Sequence, residues 1–288
     1  MTRILVTGAN GQLGSELREI AKREEKNLNF FFSDLPDLDI TDKASVEAIL
    51  REKECRFIVN CAAYTNVDRA EEEPALASKI NCDGVRSLAE AAKACACTLI
   101  HVSTDYVFNG TQRTPYTEKD PTSPLGVYGR TKLAGEEAMR ATGCNGIIIR
   151  TAWLYSAFGK NFVKTMLRLA DERDTIRVVN DQRGAPTYAA DLAAAIVRII
   201  PQLIAQPERG EIYHYSDAGE LSWFDFATAI MQQAGKTCRV EPISSAEYPS
   251  PTERPAYSVL SKEKIMRRFG VEVPDWRESL DKCLQRLK

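Results

Sequence analysis

Histidine is almost missing from this chain: there are two in 288 residues, His101 and His214, each inside a strand-like run. That argues against chemistry built on a histidine base. Clusters of His or Cys at metal-ligand spacing are missing too, which argues against a metal centre of that kind. None of the eight cysteines forms a C-x-x-C pair, and several lie in apolar runs that read as buried strand or helix. That is the pattern of reduced core cysteines in a cytoplasmic protein. No apolar run approaches the roughly 18–20 residues that span a bilayer. The net charge is only −2, so no global basic field points to nucleic acid. The chain enters a strand and a glycine turn at once, so no secretory signal is expected.

What is present is alternation. Short β-branched or aromatic runs at Arg3–Thr7, Asn29–Phe32, Arg56–Cys61, Thr98–Ser103 and Gly146–Arg150 read as strands. Helical stretches at Gln12–Arg23, Lys43–Glu54, Pro74–Cys95 and Leu125–Ala141 separate them. Strand–helix alternation of this kind predicts βαβ units and a Rossmann-type, doubly wound parallel α/β sheet. Beyond it come a helix at Asn161–Arg173, a strand at Ile176–Val179, a helix near Ala189–Ile200 and a strand at Glu211–Tyr215. After about residue 216 the character changes. Ser222 predicts an N-cap for Trp223–Ala234, Ser261 caps Lys262–Phe269, and Asp275 with Glu278 forms a capping box for the last helix. The division expected is a cofactor-binding domain over 1–155 plus about 178–215, and a small C-terminal substrate lobe over about 156–177 and 216–288.

Gly8-Ala-Asn-Gly11-Gln12-Leu13-Gly14 lies directly behind the first strand and opens the first helix. Glycine lets the backbone turn tightly and approach a pyrophosphate, whose charge meets the helix N-terminus. Asp34 follows the second strand, 20 residues after Gly14, where an acid can bond the adenosine ribose. It reads equally as a turn residue in Ser33-Asp34-Leu-Pro36. An acid there disfavours a 2′-phosphate, which Arg3 or another nearby base would soften, so NADPH and NADH both stay open. Asp39 and Ile40 could edge the adenine, and Cys61-Ala62-Ala63-Tyr64-Thr65 follows the third strand, where ligands sit in such sheets.

Tyr128 and Lys132 are four residues apart and share one helix face. The ammonium can lower the tyrosine pKa and hold the nicotinamide ribose, and the phenol can protonate a carbonyl oxygen as hydride arrives. Ser103-Thr104-Asp105 ends the fourth strand and offers a hydroxyl to the same oxygen.

These residues resemble the extended short-chain dehydrogenase/reductase family. The resemblance covers nearly the whole chain. It runs through the G-x-x-G-x-x-G turn, Ala63-Tyr-Thr65-x-Val67-Asp68-x-Ala70-Glu71, Ser103 to Phe108 and Tyr128-Gly-x-x-Lys132. It continues at Arg150-Thr-x-Trp153, Asp181-Gln-x-Gly-x-Pro186-Thr187 and Arg254-Pro255. It implies NADPH- or NADH-dependent reduction of the C4 keto group of a dTDP-linked 6-deoxy sugar. In that reading Gly11, Gln12 and Leu13 hold the pyrophosphate, Asp39 and Ile40 lie near the adenosine, and Ala63, Tyr64 and Thr65 line the cofactor. Thr104, Asp105 and Trp153 meet the sugar nucleotide, although Trp153 equally suits a core aromatic. The fork of Arg254 suits the diphosphate.

Some members of the family hold Mg²⁺ through glutamates at a dimer interface. Glu16 fits the first such position, but Ala190 stands where the second is expected, which counts against the metal and that dimer. Monomer and homodimer both stay open. Sister readings are a nucleotide-sugar dehydratase or epimerase, but Tyr106 stands where dehydratases carry a glutamate base. A non-catalytic NADP-binding regulatory subunit would be free to lose Thr104, Tyr128 and Lys132, and this chain has all three.

Overall fold

The computed structural model describes residues 1–23 and 27–287. Residues 24–26, inside the expected first domain, and Lys288, the last of the expected lobe, lie outside them. Six strands build the central sheet: β1 (Thr2–Thr7), β2 (Leu28–Ser33), β3 (Phe57–Asn60), β4 (Thr98–Thr104), β5 (Gly146–Thr151) and β6 (Arg209–His214). They pair in the order β6-β5-β4-β3-β1-β2, every pair parallel. This is the doubly wound sheet that the alternation predicts. The strand order reverses between β1 and β3, and such a switch point opens a crevice at the carboxyl ends of the strands.

Successive strand residues face opposite sides. Ile4, Val6, Val59, Ile100, Ile147 and Ile149 pack against helices α1 (Gln12–Ala21) and α6 (Ala189–Ala205). Leu5, Ile58, Leu99 and Ile148 pack against α2 (Lys43–Glu52), α3 (Gly84–Ala94) and Met139 of α4 (Val127–Thr142). Both faces are covered, which is why the strands read as nearly continuous apolar runs. A separate core gathers Tyr155, Val163, Met166, Phe226, Ile230 and Leu280. It lies between α5 (Phe162–Glu172), α7 (Trp223–Ala234) and α9 (Trp276–Gln285). All eight cysteines are free thiols and six are buried. No helix among the described residues is long and apolar enough to cross a membrane.

Three local expectations change. The stretch 74–95 is not one α-helix: a π-helical turn, Lys79–Asp83, separates Pro74–Ser78 from α3. Helix α8 (Glu263–Phe269) takes Lys262, not Ser261, as its N-cap and has no side-chain cap, its last turn being tied to Gln202 through the Phe269 carbonyl at 2.8 Å. Asp275 does cap α9, but it accepts from the Arg277 amide at 2.8 Å. Reciprocal capping boxes form instead between Ser222 and Asp225 at the head of α7 and between Ser244 and Glu247.

Helix α4 is bolted to the sheet by charge. Glu136 accepts from Arg150 of β5 at 2.7 Å and from the Ser103 hydroxyl of β4 at 2.5 Å, all three groups being buried. Removing one partner leaves the other charge buried and unpaired. Glu136→Ala is therefore expected to destabilise the fold by about 3–5 kcal/mol, whereas Glu136→Gln, which keeps an acceptor for Ser103, loses less. Denaturant unfolding of the two variants tests this, and a Glu136→Ala midpoint equal to that of the native chain would refute it.

Candidate active site

The glycine turn lies at the switch point and is tight for a steric reason. Gly8 is in the left-handed region at φ 63°, and a Cβ there would stand 2.5 Å from the Ala62 nitrogen at the end of β3. A Cβ on Gly14 would stand 2.6 Å from the Gly8 oxygen. Gly11 is the N-cap of α1 and no side chain caps that helix. The N-terminus of α1 thus offers backbone amides and the positive end of the helix dipole to an anion. The residues fit a dinucleotide pyrophosphate at this turn. The Leu13 side chain is buried in the core, so only its backbone can serve that role. The Gln12 side chain instead accepts from Asn161 at 3.0 Å, tying the turn to the head of α5.

Asp34 stands at the tip of β2 and accepts from the Asn10 amide and from the Leu35 amide, both at 2.9 Å. It shapes the turn from the neighbouring strand and retains capacity for further acceptance. Arg3 is not its neighbour: it pairs with Glu54, at the opposite end of the sheet. Asp39 closes a local turn by accepting from the Thr41 amide and hydroxyl at 2.8 Å, and Ile40 is buried against α3. Ala63, Tyr64 and Thr65 form the loop after β3. Asn81, on the π-helical turn, pins that loop from both sides, accepting from the Tyr64 amide at 2.9 Å and donating to its carbonyl at 3.1 Å. Asn81 also donates to the Thr131 hydroxyl at 3.2 Å, next to Lys132 in sequence. Sequence reading missed Asn81, because a π-turn inside a helical pattern leaves no periodic signature.

Thr104 and Tyr128 come together. The Thr104 hydroxyl, beside the phenol, holds the tyrosine pKa down, while burial and the charge of Asp105 push it up, and burial prevails at about 12. Tyr106 packs edge-on against Tyr128 at 5.4 Å. Asp105 is buried, accepts from Thr104 at 3.1 Å, and is pushed up to about 6 by burial. Ser103 does not join them, because its hydroxyl is spent on Glu136.

Lys132 is buried one turn along α4 and donates to the Val102 carbonyl at 2.7 Å. Burial brings its ammonium down to about 8, opposed by the Glu136 carboxylate one further turn along. The expectation that Lys132 lowers the tyrosine pKa is not met in this state: the ammonium is turned to the strand carbonyl, and desolvation dominates the phenol. Glu136 was also missed, although its place four residues past Lys132 put it on the same face.

Trp153 follows β5 at φ 49° and is half-buried. Arg254 lies beside Tyr106, and both Asp68 oxygens accept from it at 2.9 Å, as does Ser250. Its fork is therefore engaged with a carboxylate rather than free for a diphosphate.

The donor set for a divalent cation at Glu16 does not fit. Glu16 is buried, accepts from the Ser156 hydroxyl at 2.5 Å, and accepts from the Arg286 guanidinium at 2.6 Å. Arg286 also donates to the Tyr188 hydroxyl at 2.7 Å, and Ala190 contributes no ligand. A fixed guanidinium sits where a cation would have to bind, and its like charge excludes one.

The family described as RmlD substrate binding domain matches residues 1–288. The dTDP-4-dehydrorhamnose reductase of Sinorhizobium fredii is 43% identical over 284 residues, covering 96% of this chain and 95% of that protein. The crystal structure of a dTDP-4-dehydrorhamnose reductase from Clostridium acetobutylicum superposes with a TM-score of 0.93 at 39% identity, covering 99% of each chain. That of the Bacillus anthracis dTDP-4-dehydrorhamnose reductase, solved in complex with NADP, gives a TM-score of 0.90 at 40% identity and 99% coverage of each chain. With the fold matched end to end, the chain belongs to the RmlD family, alongside the dTDP-4-dehydrorhamnose reductases.

Proposed function

We propose that this protein reduces the C4 keto group of dTDP-4-dehydro-6-deoxy-L-mannose (dTDP-4-keto-L-rhamnose) to give dTDP-L-rhamnose, using NADPH or NADH. The observation that carries the reading is the pairing of Thr104 with a protonated Tyr128 at the carboxyl ends of the strands, one helical turn from a buried lysine. The bound dinucleotide supplies hydride to the C4 carbon. Tyr128 gives its proton to the C4 oxygen as charge develops there, and Thr104 donates to the same oxygen. Lys132 holds the nicotinamide ribose and stabilises the phenolate left behind. Gly8, Gly11, Gln12, Leu13 and Gly14 form the pyrophosphate turn. Asp34, Asp39 and Ile40 edge the adenosine, and Ala63, Tyr64 and Thr65 form the wall between them. Asp105, Trp153 and Arg254 serve the sugar nucleotide, Arg254 reaching the diphosphate by leaving Asp68. The lobe over about 156–177 and 216–288 covers the sugar.

Loss of NADPH absorbance on addition of dTDP-4-keto-L-rhamnose, with the product identified by NMR, tests the reading directly. Tyr128→Phe is expected to lower kcat about 10²–10⁴-fold while leaving the Kd for NADPH near its native value. A near-native rate in that variant removes Tyr128 as the acid.

The pH dependence follows from Lys132. Its ammonium is present below about pH 8 and lost above it. The charge is what stabilises the nascent phenolate, so kcat/KM for reduction falls as pH rises through that value. A profile that stays flat across that interval overturns the role given to Lys132.

Asp34 opposes a 2′-phosphate by like-charge repulsion. Asp34→Ser is expected to raise the NADPH/NADH ratio of kcat/KM about tenfold with little change in sugar KM. An unchanged ratio assigns Asp34 to the turn alone, as its bond to Asn10 permits.

A further inference from the structure

Trp153 is the residue at the sugar side of the crevice whose backbone is under strain. Its φ of 49° is a conformation that bulky L side chains rarely adopt and that lasts only where packing enforces it. It stands two residues past Thr151, which pairs in register with Thr104 across β5 and β4. The strain is thus held beside the candidate chemistry.

Two other segments hold it. The Trp223 indole stacks on Trp153 with ring centroids 3.5 Å apart and planes 11° apart, and Phe162 backs Trp223 at 4.6 Å. Gly184 lies against the indole: a Cβ there would stand 2.5 Å from Trp153 Cε2 and 2.8 Å from its Nε1. A two-stranded antiparallel ribbon joins these parts, with Leu221 opposite Gly184 and Ser222 opposite Arg183. Ser222 then opens α7 through its capping box with Asp225 and bonds to Asn180 at 2.9 Å, which fixes the first helical residue, Trp223. The glycine of the Asp181-Gln-x-Gly-x-Pro block thereby has a physical purpose: it makes room for an indole. Both stacked indoles are half-buried: Trp153 packs against the cluster that holds Phe108 and Tyr116, and Trp223 against the one that holds Tyr155 and Phe226.

We propose that Trp223 and Gly184 are positioning residues for the sugar. They seat the Trp153 indole as a rigid apolar wall, against which the C–H face of the hexose packs so that its C4 carbonyl lies over Thr104 and Tyr128. The proposal rests on the reading that Trp153 meets the sugar nucleotide. Neither residue touches the reacting atoms. Neither residue lies in the glycine turn or α1, so their loss is expected to move sugar recognition more than dinucleotide binding.

The test compares native protein with Trp223→Ala, Trp223→Phe and Gly184→Ala, using dTDP-4-keto-L-rhamnose and NADPH. Trp223→Ala and Gly184→Ala are expected to raise the sugar KM about tenfold while the Kd for NADPH stays within about twofold. Trp223→Phe restores most of the loss, since a flat ring can still stack. Gly184→Ala keeps all three tryptophans. A fall in its near-ultraviolet circular dichroism therefore reports disturbance of the stacked Trp153–Trp223 pair rather than loss of a ring. If Trp223→Ala does not fold, Gly184→Ala and Trp223→Phe carry the comparison. Folded variants with a native sugar KM overturn the proposal, as does an NADPH Kd that rises in step with the sugar KM. A native protein that does not turn over the keto sugar refutes the functional reading instead, and the positioning role falls with it.

Discussion

One buried carboxylate governs how the candidate chemistry is assembled. Glu136 reaches from α4 to β4 through Ser103 and to β5 through Arg150, so a single side chain ties one helix to two strands of the sheet. Its alternatives are poor: an unpaired carboxylate in this interior would carry a large desolvation cost. The ion pair is therefore a constraint more than a source of stability. It allows α4 one depth and one rotation against the sheet. Tyr128 and Lys132 lie two turns and one turn before Glu136 on the same face, so the pose of all three follows from that fixture. Thr104 ends the strand that receives the bond.

The other half of the crevice depends on close backbone approach. Gly8 against Ala62 brings the turn after β1 up to the loop after β3, on the two strands flanking the switch point. Asn81 then links that loop to α4 through Thr131. Glycine turn, loop and α4 are thus connected by one close backbone approach and short polar bonds, and Asn81, which makes those bonds, sits on the π-helical turn. A straight α-helix would carry that side chain round to a different azimuth.

How much of this could be read from the chain follows from which signals are local. The sheet was legible because strand residues such as Ile58-Val59 and Ile147-Ile148-Ile149 are apolar on both faces, and the helices between them carry a 3.6-residue stripe. The glycine turn and the Tyr128/Lys132 pair were legible because each is a short motif with a fixed spacing. Contacts between distant segments were not. Nothing in the run Ser103-Thr104-Asp105 shows that the Ser103 hydroxyl is held by Glu136, 33 residues on. Arg254 read as a free fork until Asp68, 186 residues away, occupied it. Arg286 at Glu16 joins residues 270 apart, and no spacing rule reaches that far. Trp223 read only as the start of a helix, because its partner lies on a different element.

Burial acts on the two titrating groups in opposite senses, with one consequence for the direction of chemistry. It raises the phenol of Tyr128 to about 12 and lowers the ammonium of Lys132 to about 8, because in each case it disfavours the charged form. At neutral pH the free site therefore rests with Tyr128 protonated, the state that carbonyl reduction consumes. Oxidation of the product alcohol would have to start from the minor phenolate. Catalysis leaves the overall equilibrium untouched, but the protonation state of the resting protein decides which substrate meets a ready site. A lysine that lowered the phenol to neutrality would serve both directions alike. With its ammonium turned to the Val102 carbonyl, Lys132 does not offset the burial that keeps Tyr128 protonated.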